Sequence, residues 1–365
     1  MKKLISRAAL LLMGALAFTA CSDDDNKNTT SELVNVTEGV FVLNEGSYFS
    51  GIDGSLSYIN YATNQITNGI FASKNGRSLG GTPNDAIIYG SKMYIATTDE
   101  GRVEVIDVKT QASLGYATLT QPRKLVADGG FVYVSSYAGT VSRIDTTSFQ
   151  IVKTSEVIGA NLEGITALNG YLYVCNGWNP DYTYNNNVVK LDASTLAKVK
   201  DITVVTNPAR ILTDGTDIYV QSIGNYADVS AAIQKIDAAD VVTTLCNEGL
   251  YLSYYKGKIY YVATSYDENW NTIAAYKVYD LATGATTTFV EGSEVFSPCA
   301  LAVDPYTGLV YVSSYSQGAY GSADYAGAGY IVVYNNDGTF WKQYDAGVAP
   351  TTYVFNTASY VKTGE

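Results

Sequence analysis

Short apolar runs separated by polar turns extend from residue 37 to the end of the chain, and none carries a sustained 3.6-residue period. One phrase recurs within them, an aromatic residue followed by a β-branched residue, at intervals of 39 to 53 residues. A Gly-containing turn signal precedes most of the phrases, and an alternating strand pattern follows them. The pattern predicts an all-β chain made of seven units of about four short strands each. The phrases begin at Phe41, Tyr94, Tyr133, Tyr173, Tyr219, Tyr261 and Tyr311.

Four-stranded units repeated at this spacing are typical of propeller blades, which stack radially and leave no long open edge. The sequence therefore predicts a single seven-bladed β-propeller. A Pro or Glu opens the first strand of most units, but the first unit lacks such a strand. Residues 350–356, which begin with Pro350, form an orphan strand pattern after the last unit. We expect this C-terminal strand to complete blade 1 and to close the ring.

The N-terminal residues 1–20 predict a secretory signal peptide, because Lys and Arg precede a short apolar run and small residues follow it. The run ends in Phe-Thr-Ala-Cys at Cys21, which resembles a bacterial lipobox. This resemblance implies cleavage before Cys21 and lipidation of its thiol. Three Asp residues at 23–25 resemble the surface-export signal of Bacteroidetes lipoproteins, and the alternative is a solvated linker. We expect residues 21–36 to form a lipidated, flexible tether and residues 37–365 to form the propeller.

Composition excludes several classes of chemistry. The chain contains no histidine, so it can form neither a Ser-His-Asp or Cys-His nucleophile system nor a histidine ligand to zinc, cobalt or haem. We expect a protein that is not an enzyme, with no cofactor and no metal site. Lys and Arg number 23 against 35 Asp and Glu, and the resulting net charge of −12 disfavours nucleic acid as a partner. Tyr supplies 32 residues, which suits both β-strands and contact surfaces.

Three cysteines follow Cys21 in the chain, namely Cys175, Cys246 and Cys299. An odd number of thiols allows at most one disulfide among the three. Cys175 lies in an apolar strand pattern, where a buried and inert thiol is expected. The fold is therefore not expected to depend on disulfide bonds.

Two kinds of loop share one face of a propeller: the loop after the second strand of a blade and the crossing into the next blade. Here both carry aromatic, Asn, Asp and Arg residues, whereas the turns of the opposite face are mostly Gly, Asp and Asn. Such a surface suits a large, flat, amphipathic ligand. Taken singly, each Tyr could instead pack against the neighbouring blade. The predicted ligand-binding residues are Tyr48, Phe49, Arg77, Arg123, Tyr137, Trp178, Tyr182, Tyr184, Arg210, Tyr226, Tyr266, Trp270, Tyr315 and Tyr320.

Two acidic residues stand where other units have Pro, at the start of a first strand. These are Glu163 and Glu248. If both face the central channel, they could bind a cation or accept hydrogen bonds from nearby backbone N–H groups. We favour the second interpretation.

The repeated Tyr-Val phrase with its Pro-led first strand is similar to YncE-like and NHL-type propellers. The segment Val-Phe-Val-Leu-Asn-Glu-Gly at 40–46, followed by Gly-Ser-Leu-Ser-Tyr at 54–58, resembles the start of a group of Bacteroidetes surface lipoproteins. That group includes corrinoid-capturing propellers that sit over a TonB-dependent vitamin B12 transporter. The resemblance covers nearly the whole mature chain. It implies the fold more specifically than the ligand, because its motifs belong to the blade scaffold.

The resemblance implies a cell-surface lipoprotein that captures a small molecule for a TonB-dependent outer-membrane transporter. Its attachment to the outer membrane is expected through the lipid at Cys21. Cobalamin or a related corrinoid is the ligand expected first, because it is a large disc edged with amides. Two other classes stay open: a glycan- or protein-binding adhesion module, and a lactonase- or lyase-like propeller enzyme whose metal is held by carboxylates.

Overall fold

The computed structural model describes residues 31–363 apart from 267, 269–271 and 291–294. Strands account for 61% of the chain and helices for 2%, which confirms the all-β prediction. No helix in the described part of the chain is long and apolar enough to cross a membrane. The expected signal peptide and the lipidated Cys21 lie outside the described residues.

The strands form seven antiparallel sheets, numbered here in chain order. Sheets 1 to 3 contain β1 (Ser31–Asn44), β2 (Ser55–Asn60) and β3 (Gln65–Thr67); β4 (Pro83–Tyr89), β5 (Lys92–Thr97), β6 (Arg102–Asp107) and β7 (Ser113–Thr118); and β8 (Pro122–Asp128), β9 (Phe131–Ser136), β10 (Val141–Asp145) and β11 (Ile151–Thr154). Sheets 4 and 5 contain β12 (Asn161–Leu168), β13 (Tyr171–Trp178), β14 (Tyr184–Asp192) and β15 (Lys198–Thr203); and β16 (Pro208–Thr213), β17 (Ile218–Ser222), β18 (Ala232–Ile236) and β19 (Val242–Cys246).

Sheets 6 and 7 contain β20 (Leu250–Tyr255), β21 (Lys258–Tyr266), β22 (Thr272–Asp280) and β23 (Thr286–Val290); and β24 (Ser297–Val303), β25 (Val310–Gln317), β26 (Ala323–Asp324), β27 (Ala328–Tyr334) and β28 (Phe340–Val348). In sheets 2 to 7 the strands pair side by side in chain order, and the short β26 pairs only with β25. A short helix α1 (Ile70–Asn75) and a 3₁₀ turn (Ala319–Gly321) complete the described elements.

The C-terminal strand β29 (Pro350–Thr363) lies in sheet 1 beside β1, in the strand order β29-β1-β2-β3. Strand β1 begins at Ser31, so residues 31–36, which were expected in the tether, belong to a strand. Their backbone pairs within a sheet, which a composition-based assignment of a polar segment does not detect. Of the described residues, 31–34 and 359–363 form one compact unit and Asn35–Ala358 form a second.

Apolar side chains fill the space between successive sheets in seven separate clusters. One of them packs Val40 and Val42 of sheet 1 against Tyr311 and Val333 of sheet 7. All seven aromatic residues of the repeated phrase are at most 4% exposed, so the repeat marks the core. Burial of each large side chain contributes about 1.5–3 kcal/mol.

The sixth copy of the phrase is displaced by one residue. In most sheets, the phrase aromatic packs toward the following sheet, as Tyr173 of sheet 4 does against Val220 of sheet 5. In sheet 6, Tyr260 packs toward sheet 7 and Tyr261 packs back toward sheet 5. Because successive side chains of a strand point to opposite faces, the structural counterpart in this sheet is Tyr260.

A buried carboxylate joins sheet 7 to sheet 1. Asp304, which is fully buried, follows β24. It accepts hydrogen bonds from Thr37 Oγ1 at 2.8 Å and from Tyr61 Oη at 2.7 Å, both in or next to sheet 1. Within its own turn, it also accepts the backbone N–H groups of Tyr306 and Thr307 at 2.8 and 3.0 Å. Four donors therefore converge on one carboxylate at the junction.

An aspartate closes the turn after the third strand in several sheets. In sheet 4, the Asp192 carboxylate accepts hydrogen bonds from the hydroxyl and backbone N–H groups of Ser194 and Thr195 at 2.7–3.0 Å. These bonds, the hydroxyls first, favour the ionised carboxylate and lower the pKa of Asp192 to about 2. Asp107, Asp145 and Asp280 end their strands in the same way, and hydrogen bonding lowers the pKa of each.

We expect the free energy of unfolding to fall as the pH is lowered from about 4 to 2. The folded-state pKa of Asp192 lies below its unfolded value, so the unfolded chain takes up the proton first. The contribution of Asp192 to the free energy of unfolding is therefore complete above its pKa in the unfolded chain. It is lost as the pH falls through its pKa in the folded protein. Urea unfolding across this pH range should show a smaller loss for Asp192→Asn, whose amide oxygen accepts the same bonds without titrating. Equal losses in the two proteins would contradict this explanation.

All three cysteines in the described part of the chain are free thiols. Cys175 is fully buried in β13, and burial raises the pKa of its thiol well above the usual value. The expectation of a buried thiol in this strand is confirmed.

Candidate functional site

A cavity of about 390 Å³ is lined by residues from all seven sheets or the loops that follow their strands. A second cavity, of about 340 Å³, is lined mainly by the first strands β4, β8, β12, β16, β20 and β24 and by β29. The two cavities share Lys124, Ala209, Arg210 and Thr351 in their linings. The larger one is called the mouth cavity here. Its polar and aromatic lining includes Glu45, Asn84, Arg123, Lys124, Glu163, Arg210, Gln221, Tyr226, Tyr251, Tyr315 and Thr351.

Glu163 is the centre of one side of the mouth cavity. Its carboxylate pairs with the Arg123 guanidinium at 3.2 Å, with both side chains largely buried. Tyr137 Oη donates to the same carboxylate at 2.5 Å, and Trp178 Nε1 donates at 3.4 Å. The Arg123 guanidinium also lies 4.2 Å from the centre of the Tyr137 ring. Glu163 therefore fixes a cation and two rings together.

Burial is the first cause of the raised pKa of the Tyr137 hydroxyl, and the Glu163 charge raises it further. Tyr137 is consequently a hydrogen-bond donor at neutral pH. Burial opposes the charge of Arg123, but Glu163 and other acidic groups raise the pKa of the guanidinium overall. The Arg123 guanidinium thus stays charged.

Aromatic rings continue outward from this cluster. The Trp178 ring meets Tyr137 edge-on at 5.5 Å and stacks on Tyr182 at 6.0 Å, with 15° between the two planes. Nearby in the chain, Tyr184 contacts Tyr226 at 6.1 Å, and Tyr226 lines the mouth cavity. We call the following residues the aromatic rim: Tyr137, Trp178, Tyr182, Tyr184, Tyr226, Tyr315 and Tyr325.

Several rim residues present their rings to solvent. Tyr182 and Tyr226 are 77% and 76% exposed, and Tyr325 is 62% exposed. Tyr325 packs edge-on against Tyr315 at 4.8 Å, and Tyr315 lines the mouth cavity. Large exposed rings beside a cavity are a surface on which a ligand can bury apolar area.

Most predicted ligand-binding residues fall in or near this region. Arg123, Arg210, Tyr226 and Tyr315 line the mouth cavity, and Tyr137, Trp178, Tyr182 and Tyr184 connect to it through the contacts above. Tyr48 and Phe49 lie in the loop after β1, exposed at 72% and 99%, and contact each other at 5.5 Å. Trp270 and the side chains of Tyr266 and Tyr320 lie outside the described residues.

Arg77, a predicted ligand-binding residue, lines neither of the two cavities. Its guanidinium pairs with the fully buried Glu104 of β6 at 2.6 Å and lies 4.9 Å from the centre of the Phe71 ring. Arg102 shares the same carboxylate at 3.2 Å. Arg77 thus compensates the buried charge of Glu104.

Several cavity residues were not predicted from the sequence. Lys124, Asn84, Gln221 and Thr351 lie inside strands, where a polar residue usually faces solvent. The signal available was their position in a first strand next to the opening Pro, or directly across from such a strand, as Gln221 pairs with Arg210. Among the described residues, no three carboxylates or cysteines come together as a metal-holding group.

The two acidic residues that replace Pro have side-chain partners rather than the backbone N–H partners that were favoured. Glu163 contacts Arg123, Tyr137 and Trp178 as described. Glu248 accepts hydrogen bonds from Tyr261 Oη at 2.9 Å and from Lys277 Nζ at 2.7 Å. That interpretation was therefore wrong for both residues.

Residues 38–356 match the model of a protein family described as a domain of unknown function, DUF5074. The chain belongs to this family. The DUF5074 match includes the whole of sheets 2 to 7 and most of sheet 1. A search of curated proteins gave no match.

Solved structures similar to this DUF5074 chain indicate its fold. A quinonprotein alcohol dehydrogenase-like protein from Bacteroides thetaiotaomicron is 18% identical with a TM-score of 0.63, covering 88% of this chain and 79% of its own. Hydrazine synthase of Kuenenia stuttgartiensis is 19% identical with a TM-score of 0.56, covering 70% of this chain and 77% of its own. Together with the family match, these similarities support a β-propeller.

Proposed function

We propose that the seven sheets are the seven blades of one propeller, closed by β29 in the first blade. The cavity linings support this arrangement, because the first strands of sheets 2 to 7 and β29 surround one space. The cluster between sheets 1 and 7 and the four-donor contact at Asp304 support it as well. In this arrangement, the mouth cavity is one end of the central channel.

We further propose that the protein binds a ligand over the mouth cavity without transforming it. The main observation that supports this proposal is the aromatic rim, in which exposed rings adjoin a polar cavity. Rings supply apolar contact with few rotatable bonds, while Asn84, Gln221 and Arg210 offer directional polar contacts. A broad, flat ligand with polar edges suits this combination better than a small compact one.

Cobalamin is the ligand we propose first. Its corrin is a large disc edged with amides, which can stack on rings and pair with amide and guanidinium groups. The N-terminal signal and the family resemblance support the biological setting, a surface lipoprotein that hands the ligand to a TonB-dependent outer-membrane transporter. Because the chain has no histidine, binding leaves the axial ligand of cobalt in place.

Calorimetric titration of the full chain in a non-ionic detergent with cyanocobalamin tests this proposal. We expect saturable one-to-one binding and an unchanged cobalamin absorption spectrum. Tyr226→Ala and Tyr315→Ala should each weaken binding by about tenfold, since each removes a ring at the cavity edge. Tyr306→Ala is the matched control, because its ring is 42% exposed in a turn that lines neither cavity.

The absence of saturable heat would overturn the corrinoid proposal. Saturable binding of a glycan or a protein at the same rim would then favour an adhesion module. A stoichiometric metal in the purified protein, together with turnover of a lactone, would favour an enzyme instead. A change in the cobalamin spectrum would contradict binding with the axial ligand retained.

A further inference from the structure

Two cations that line both cavities have no carboxylate in direct contact. Lys124 Nζ donates to the backbone carbonyl oxygen of Asn84 at 2.8 Å, and the Arg210 guanidinium carbon lies 4.9 Å from the centre of the Tyr251 ring. Throughout the described residues, no carboxylate oxygen lies within 4.0 Å of a charged nitrogen of either side chain. A partly buried guanidinium or ammonium group is normally stabilised by a carboxylate in contact with it.

The two cations also act on each other. Burial is the first cause of the lowered pKa of Lys124; the charge of Asp85 opposes it, and the charges of Arg210 and Arg123 lower the pKa further. Glu163 is engaged by Arg123 at 3.2 Å. Asp85 accepts the backbone N–H of Leu125 at 2.8 Å. Asp85 therefore offsets part of the charge of Lys124 from a distance, while neither Lys124 nor Arg210 has a carboxylate oxygen in direct contact within the described part of the chain.

Unpartnered hydrogen-bond donors lie beside these cations. Gln221 Nε2, Thr351 Oγ1 and Arg123 Nε are buried atoms with no hydrogen-bond partner among the described residues, and all three residues line the mouth cavity. Gln221 is only 1% exposed, so any partner of its Nε2 has to lie inside the cavity. A buried donor without a partner is costly unless a bound group completes it.

The charge balance around the mouth cavity differs from that of the whole chain, although Asp85 in the adjoining cavity makes the two cavities together neutral. Three cations (Arg123, Lys124 and Arg210) and two carboxylates (Glu45 and Glu163) line the mouth cavity, a balance of +1. The chain as a whole carries a net charge of −12. Two cations without a carboxylate in direct contact, next to buried unpartnered donors, favour a negatively charged group at this one place.

We propose that the mouth cavity holds a compact oxyanion, a carboxylate or phosphate group of the ligand, between Lys124 and Arg210. Gln221 and Thr351 donate hydrogen bonds to its oxygens, and Arg123 stays paired with Glu163. The proposal rests on the proposed function for the idea that a ligand occupies this face, and it names the part that enters the cavity. Its evidence is separate from the aromatic rim.

Calorimetric titration of the full chain with sodium sulfate, and separately with sodium acetate, tests this site at constant ionic strength. Sulfate represents a tetrahedral phosphate and acetate a planar carboxylate, and neither changes its charge above pH 6. Saturable heat with one of the two identifies the preferred geometry. The readout is binding heat rather than melting temperature, because sulfate stabilises many folded proteins without a specific site.

Two pairs of variants separate the site from a general charge effect. Lys124→Met and Arg210→Met should each weaken anion binding by about tenfold or more, since each removes a charged donor. Lys92→Met is the control for the lysine, because Lys92 also donates to a backbone carbonyl, that of Thr146 at 3.0 Å. Arg143→Met is the control for the arginine, because Arg143 also lies over a ring, that of Phe131 at 4.5 Å.

Affinity should fall as the pH is raised from 7 to 10, because only protonated Lys124 attracts the anion and its pKa is lowered. The Lys124→Met variant should lose most of this pH dependence. Non-saturable heat with both anions, or equal affinity in all four variants, would overturn the proposal. The titration of the unmodified protein tests the anion site by itself, even if one of the variants does not fold. If sulfate binds and cobalamin does not, only the corrinoid proposal is rejected. If cobalamin binds and neither anion does, only the anion site is rejected.

Discussion

Replacing Asp304 with alanine should lower the free energy of unfolding by about 4 kcal/mol, because four donors lose one fully buried acceptor at once. Thr37 Oγ1 and Tyr61 Oη lose the contact that joins sheet 1 to sheet 7. The backbone N–H groups of Tyr306 and Thr307 lose the contact that closes their turn. Asp304 is fully buried, so water does not replace the carboxylate without opening the junction.

Asp214→Ala is the matched control for this change. Asp214 accepts the backbone N–H groups of Thr216 and Asp217 at 2.8 Å and the Tyr219 hydroxyl at 2.9 Å. These partners all belong to sheet 5 or its turn, so the variant removes similar local bonds without touching a second sheet. We expect a loss of about 1–2 kcal/mol by urea unfolding. Equal losses for the two variants would mean that the junction between sheets 1 and 7 adds nothing to stability.

The repeat could be predicted from the sequence because its aromatic residues are the core. Strand β9 begins two residues before Tyr133 of the phrase, and β25 begins one residue before Tyr311. The displacement in sheet 6 could not be predicted, because Tyr260 and Tyr261 are both aromatic and both precede a β-branched or aromatic residue. Only the packing against sheets 5 and 7 shows which of the two faces forward.

The candidate site could be predicted in part. The three arginines of the predicted ligand-binding set were treated alike, yet they differ in their position relative to the first strand of the next sheet. Arg123 directly follows the Pro that opens β8, and Arg210 is the third residue of β16, so their positions in first strands face the cavity. Arg77 lies six residues before β4 begins, and it remains outside the cavity beside Glu104.

Lys124 and Gln221 show why the rest of the site was missed. Nothing in a single strand distinguishes a polar residue that faces solvent from one that faces a central cavity. That distinction depends on the other six sheets, which no local pattern contains. The aromatic residues of the loops, by contrast, can be recognised in the sequence. Most of the aromatic rim could therefore be predicted, whereas the strand residues that line the mouth cavity could not.

Replacing Glu163 with alanine should cost about 3–5 kcal/mol of unfolding free energy, because Arg123 is left largely buried without its counter-charge. The side chains of Arg123 and Glu163 are only 14% and 13% exposed, which keeps solvent from screening the loss. Tyr137 Oη and Trp178 Nε1 lose their acceptor in the same step. Glu163→Gln should cost less, since the amide oxygen still accepts one of these bonds.

The control for this prediction is an ion pair that faces solvent. Lys198 and Asp201 lie 2.7 Å apart with side chains 41% and 46% exposed, so Lys198→Ala should cost no more than about 1 kcal/mol in the same urea unfolding measurement. A similar small cost for Glu163→Ala would show that the pair is not needed to hold Arg123. If the larger cost is found, the carboxylate that supports the rim also supports the fold. Rim variants that test ligand binding should then be made at Tyr226 and Tyr315, which do not contact Glu163.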